Sequence, residues 1–219
     1  MRRFLRENSL SIVLFTLFLV FLVGQAITGW DEYNSEQREH KSPAVSFGSY
    51  LTTGHFGEAV FENWESEFLQ MSAYVLLTIW FVQRGSAESK SLSGDDDVDR
   101  EPSPAKRNTP KAVRRGGWFL RIYEHSLSLA FGALFIGSLL LHGVKGASTY
   151  NEEQRQHGEA TVTIPGYMGT SRFWFESFQN WQSEFLATGS IVLLTVWLRQ
   201  HGSPESKPVD MAHHEMQPH

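Results

Sequence analysis

The chain contains no cysteine. That absence excludes a disulfide framework, a thiolate-ligated zinc site, a thiol nucleophile and a thiol redox switch. Positive charge is also short: 19 Lys and Arg stand against 24 Asp and Glu, a formal net charge of −5. Without a basic excess to neutralise phosphates, nucleic acid is not expected as a partner. Enzyme signatures are missing as well. There is no Gly-rich phosphate loop, no Gly-x-Ser-x-Gly elbow and no His-Glu-x-x-His pair, so the sequence predicts neither catalysis nor a cofactor.

What is present is unevenly spread. Over 219 residues the chain averages 41% hydrophobic and 20% charged, values that would suit a soluble domain. The apolar residues nevertheless gather in four blocks: Leu10–Gly29, Phe68–Val82, Leu127–Leu141 and Phe185–Leu198. The first holds no charge over about 20 residues, the length a helix needs to cross a hydrocarbon core of about 30 Å. Its flank, with Arg2, Arg3 and Arg6, also has the form of a signal peptide. The similar block at mid-chain, where no leader can stand, favours a span. The second and fourth blocks are short for a crossing. Each follows an aromatic-rich stretch, Phe56 to Trp64 and Phe173 to Trp181, and a helix starting there has the required length. Trp64 and Trp181 are the expected interface anchors.

Orientation follows from Lys and Arg near the blocks. They cluster at the N-terminus, in the centre from Arg84 to Arg121, and after the last block at Arg199 and Lys207. The segments at about 30–67 and 147–184 carry far fewer. The positive-inside rule therefore predicts both termini and the centre on the cytoplasmic side.

The halves repeat. Tyr33-Asn34-Ser35-Glu36-Gln37-Arg38-Glu39-His40 returns as Tyr150-Asn151-Glu152-Glu153-Gln154-Arg155-Gln156-His157, and Asn63-Trp64-Glu65-Ser66-Glu67-Phe68-Leu69 as Asn180-Trp181-Gln182-Ser183-Glu184-Phe185-Leu186. The offset is a constant 117 residues, and roughly 36 of 84 positions from Glu7 to Lys90 are identical, too many for chance likeness of apolar helices. The expected fold is an all-α membrane protein with four transmembrane helices, arranged as two parallel two-helix repeats of the same orientation. The expected organisation is a first repeat over 1–90, a disordered cytoplasmic linker over 91–117, a second repeat over 118–207 and a disordered tail over 208–219. The linker carries Asp95-Asp96-Asp97, three prolines and then basic residues, with no apolar period. Its basic end serves as a topology signal and is also suited to anionic headgroups. His213, His214 and His219 in the tail are read as incidental.

Two polar groupings are candidates for function. On a helical wheel Glu67, Gln70, Tyr74 and Thr78 fall within about 60° of Asn63, a polar stripe entering the second span. The second copy retains Asn180 and Glu184. Glu67 and Glu184 are expected at equivalent outer ends of spans two and four, with Asn63 and Asn180 as supporting donors and His142 or Lys145 pairing one glutamate. Such a cluster suits an ion or proton site, or it fastens the loops to the bundle. In the loop motif, Glu36 and His40, and Glu153 and His157, stand at i and i+4, a spacing at which both reach one metal ion on a helix. Two ligands per copy are too few to predict a metal centre. The preferred reading is structural, with Tyr33 and Tyr150 in the loop fold and Arg38 and Arg155 pairing nearby carboxylates.

The segment FLRENSLSIVLF, the YNxEQRxH loops and the NW(E/Q)SEFL segments together resemble an uncharacterised family of bacterial integral membrane proteins, a domain of unknown function. The resemblance runs over nearly all of Arg3 to Lys207. It implies an inner-membrane protein and carries no activity or site residues with it. The expected role is a non-enzymatic structural or interaction component whose partners are the bilayer and a further copy or another membrane protein. The alternative is a small oligomeric ion- or proton-coupled transporter using Glu67 and Glu184.

Overall fold

The computed structural model describes residues 2–92, 96–106 and 108–216. Asp95 of the acidic run, Arg107 of the linker and His219 of the tail lie outside the described residues. Among the described residues the chain is all-α, without strands. In order the helices are α1 (Arg2–Glu7), α2 (Ser9–Glu39), α3 (Phe47–Tyr50), α4 (Gly54–Trp80), α5 (Lys111–Arg115), α6 (Gly117–Glu124), α7 (Ser126–Gln156), α8 (Ile164–Met168) and α9 (Ser171–Leu194). A short 3-10 helix, Asp97–Asp99, lies between α4 and α5.

Helices α2 and α7 are long and apolar enough to cross a membrane. Each has 31 residues, about 46 Å at 1.5 Å per residue, so each apolar block continues as helix through its YNxEQRxH motif. Both end in the same way. After α2, Lys41 takes a left-handed conformation at φ 57°, and the Ser42 and Lys41 amides donate to the carbonyls of Gln37 and Arg38. After α7, Gly158 stands at φ 73°, with Glu159 and Gly158 donating to Gln154 and Arg155. This is the Schellman ending, which satisfies the last carbonyls of the helix and favours glycine at its left-handed position. Copy two has that glycine; copy one places a lysine there at a strain cost of about 1 kcal/mol.

Two compact units divide the chain. The first comprises Met1–Phe61 and Leu140–Phe173, the second Glu62–Leu139 and Trp174–His219. Each unit therefore takes segments from both sequence repeats.

In the first unit the loops that follow α2 and α7 are built alike. The Asn34 side chain accepts from the Val45 amide at 2.7 Å and donates to the Val45 carbonyl at 3.1 Å. Asn151 does the same with Val162, at 2.7 and 2.9 Å. Ser46 and Thr163 then cap α3 and α8, their side chains accepting from Ser49 and Gly166, as N-cap hydroxyls do. The caps deliver Tyr50 and Tyr167, at 1% and 0% exposure, onto Gly29 of α2 and Gly146 of α7. A methyl group on either glycine would meet the tyrosine hydroxyl or ring. Polar side chains thus direct the loop and a missing side chain receives it.

In the second unit, Phe68 packs on Phe131 and Trp181 on Phe135. The Ser86 and Thr195 hydroxyls meet at 3.0 Å. The ends of α4 and α9 are again alike: the Gln83 amide donates to Ser89 Oγ and the Gln200 amide to Ser206 Oγ, each at 2.9 Å. The lysines that follow diverge. Lys90 pairs with Asp99 at 2.9 Å, whereas Lys207 is buried and donates to the carbonyls of Ala212, His213 and Glu215. Burial, and then the neighbouring Arg199, lower the Lys207 pKa.

Candidate functional site

Because α2 and α7 carry the loop motif at their ends, the two motifs meet in the first unit. They line an open polar cavity of about 260 Å³ with Tyr33, Glu36, Gln37 and His40 from copy one, Thr149, Glu152, Glu153, Gln156 and His157 from copy two, and His55 from α4. Three carboxylates and three imidazoles face one space.

Hydrogen bonds organise two of those carboxylates. Glu152 Oε1 accepts from the Tyr33 hydroxyl at 2.8 Å and from Gln37 Nε2 at 3.0 Å. Burial, then this bond to Glu152, pushes the Tyr33 phenol up to about 12, so Tyr33 remains a neutral donor. Glu153 is held by both guanidinium nitrogens of Arg172, a fork that fits a carboxylate, and the same guanidinium lies over the Tyr150 ring. At the position equivalent to Arg172, copy one has His55, whose Nδ1 meets the Tyr50 hydroxyl at 3.2 Å. The His157 Nδ1 contacts the Glu153 carbonyl at 2.8 Å. Both of the tied carboxylates, Glu152 and Glu153, come from copy two.

The expected arginine pairing is corrected by this geometry. Arg38 and Arg155 are exposed, and among the described residues neither forms a salt bridge; Arg172 makes the pair. The reason is helical phase, since Arg155 and Glu153 are two residues apart and point to different faces.

The second grouping is split between the units. Glu67 and Glu184 belong to the second, where Glu67 is exposed and Glu184 half-buried. Gln70 of α4 hydrogen-bonds Thr188 of α9 alongside them. The main-chain carbonyls of Asn63 and Asn180 each accept a serine hydroxyl, from Ser66 and Ser183, at 2.8 Å. His142 and Lys145 belong to the first unit. Lys145 Nζ donates to the Thr52 carbonyl at 3.1 Å, and its stem lies against Gly57. His142 is fully buried, stacks on Phe173 at 4.7 Å and has a ring nitrogen within 4.8 Å of a Glu58 carboxylate oxygen. The two residues expected beside Glu67 or Glu184 thus have their neighbours in the N-terminal turns of α4 and just before them.

Sequence reasoning missed Glu58 and Glu65, both buried. Glu58 accepts the Tyr167 hydroxyl at 3.0 Å, and Glu65 accepts the Trp181 indole N–H at 2.9 Å. Trp181 is therefore a hydrogen-bond donor to a buried carboxylate as well as an aromatic neighbour of Phe178; Trp64 is half-buried. The available signal was asymmetry between copies. Glu58 stands opposite Phe175, and Glu65 opposite Gln182.

No curated protein and no solved structure matches the chain. The family described as domain of unknown function DUF6766 matches residues 1–218. An all-α chain whose two loop motifs converge on one polar cavity is thereby placed by its whole length: it belongs to the DUF6766 family.

Proposed function

We propose that this is a multi-pass integral membrane protein of a bacterial inner membrane, with four spans in two parallel repeats, cytoplasmic termini and a non-enzymatic structural or interaction role. The observation carrying this reading is the exposure of the apolar helices. Only 6% of the most apolar stretch of α2 and 17% of that of α7 is buried, with Leu10, Phe15 and Phe21 each exposed by about 70%. A core helix buries such side chains, and a soluble surface does not display so continuous an apolar face. Exposed Leu77, Ile79 and Trp80 on α4, and Phe185, Leu186 and Leu193 on α9, extend the argument to those helices. At 27 and 24 residues they reach about 36–40 Å, enough for a crossing.

The test is extraction and topology. The full chain is expected to stay in the pellet after alkaline carbonate washing and to enter the detergent phase. Reporters inserted at 91–117 are expected to be active only in cytoplasmic format. Release by carbonate overturns the membrane reading, and a periplasmic reporter active at 91–117 overturns the orientation.

A second reading, a small oligomeric ion or proton carrier, is favoured by one observation: Gln70 of α4 hydrogen-bonds Thr188 of α9, each about one helical turn beyond Glu67 and Glu184. It requires a pH- or cation-dependent flux in proteoliposomes that Glu67→Gln with Glu184→Gln abolishes. A silent protein whose double variant merely melts at lower temperature leaves the structural role.

A further inference from the structure

The cytoplasmic approach to α7 is built differently from a plain chain segment. Helix α5 and helix α6 are joined through Gly116, and α6 is separated from α7 by His125 alone. Lys111, Arg114, Arg115 and Arg121 are all exposed, against the single carboxylate of Glu124. Trp118, Phe119, Ile122 and Tyr123 are exposed too, Trp118 by 68%. On a wheel those four occupy an arc of about 140°, with Arg121 and Glu124 outside it. The Arg115 guanidinium sits 5.2 Å from the centre of the Phe119 ring. Aromatic and cationic groups are thus displayed together on one short helical element at the end of an apolar helix.

The other repeat starts in the same style. Helix α1 precedes α2 with one intervening residue, Asn8, and it exposes Phe4 and Leu5 among Arg3 and Arg6. A cationic, amphipathic collar at the foot of the first helix is therefore a feature of both copies. In α1, however, Arg3 is paired with Glu7 at 2.7 Å, whereas no salt bridge involves Lys111, Arg114, Arg115 or Arg121 among the described residues.

We propose that α5 and α6 form a binding surface for anionic phospholipid headgroups. The aromatic arc lies at the acyl boundary and the four cations engage lipid phosphates. This rests on the membrane reading above. Charge decides the occupant: a polybasic segment next to a span is attracted by an anionic leaflet, and an amphipathic helix with aromatics on one face is stable in the interfacial plane. A second copy of the same surface would bring four cations against four.

The experiment uses the full chain in nanodiscs of phosphatidylcholine, with and without roughly 30% phosphatidylglycerol, and reads amide hydrogen exchange in peptides over 109–125. Exchange is expected to slow at least about tenfold in the anionic discs, with the gain shrinking at about 0.5 M salt. The quadruple variant Lys111→Gln, Arg114→Gln, Arg115→Gln, Arg121→Gln loses the gain, and replacing the three arginines by lysine restores it. Equal exchange in both discs overturns the proposal while leaving a membrane protein. Protection that follows protein concentration rather than lipid charge also overturns it, in favour of self-association. A chain that enters neither disc overturns the membrane reading and this proposal with it.

Discussion

The loops after α2 and α7 reach one backbone solution with different side chains around it. Asn34 and Asn151 make the same paired bonds to Val45 and Val162, and Tyr50 and Tyr167 bury against equivalent glycines. Around this frame His55 replaces Arg172, Lys41 replaces Gly158, and Ser35 occupies the position of Glu152. The residues that hold the frame are shared, and the residues that set charge in the cavity are not. The shared frame thus encloses a cavity whose charged residues differ between its two halves.

Filling the glycines tests the frame most severely. Gly29→Ala and Gly146→Ala force a buried tyrosine out of place, and each is expected to cost about 1–3 kcal/mol, visible as a lower Tm in detergent. Indifference at one site and not the other would break the equivalence of the loops. Next come the asparagines. Asn34→Ala and Asn151→Ala each remove two bonds to one backbone residue, and losses of about 1–3 kcal/mol are expected, the smaller for Asn34 because the Trp30 indole N–H also donates to the Val45 carbonyl at 2.8 Å. Equal losses would show that the Trp30 bond adds nothing to the first loop.

The helix ends sharpen the contrast with opposite signs. Lys41→Gly relieves a left-handed lysine and is expected to stabilise by up to about 1 kcal/mol, while Gly158→Ala destabilises by a similar amount. Both changes in the same direction would remove the strain account. The smallest effect is one of pH. Because the Tyr33 phenol is raised to about 12 from an ordinary 10, its contribution is complete below pH 10 and is lost as pH climbs toward 12. Tyr33→Phe should flatten that alkaline part of the stability profile, measured by melting against pH. An unchanged slope would mean that Tyr33 does not keep its proton for Glu152.

The long helices were legible because apolar periodicity and length are local properties, and the loop motifs because they recur at a constant spacing. The chemistry around Glu67 was harder to read. A wheel centred on Asn63 placed Glu67 in the polar stripe, yet Glu65 and Glu58, nearly opposite on α4, are the carboxylates the fold buries. A helical wheel states which residues share a face. It does not state which face meets another helix. Likewise the choice of Arg172 over Arg155 for Glu153 depends on α9 arriving beside the end of α7, a distance in space that no spacing encodes.

The sequence by itself determined the helical class, the two long apolar helices, the 117-residue repeat and the absence of thiol chemistry, since each is a matter of composition or periodicity. Tertiary structure alone decided that the two YNxEQRxH motifs share one cavity, that Tyr33 and Gln37 serve Glu152 of the other copy, and that His142 lies by Glu58. Those are contacts between residues far apart in the chain. They depend on the packing angles of whole helices, and the free energy of burying a carboxylate or an imidazole is set only once that packing has formed.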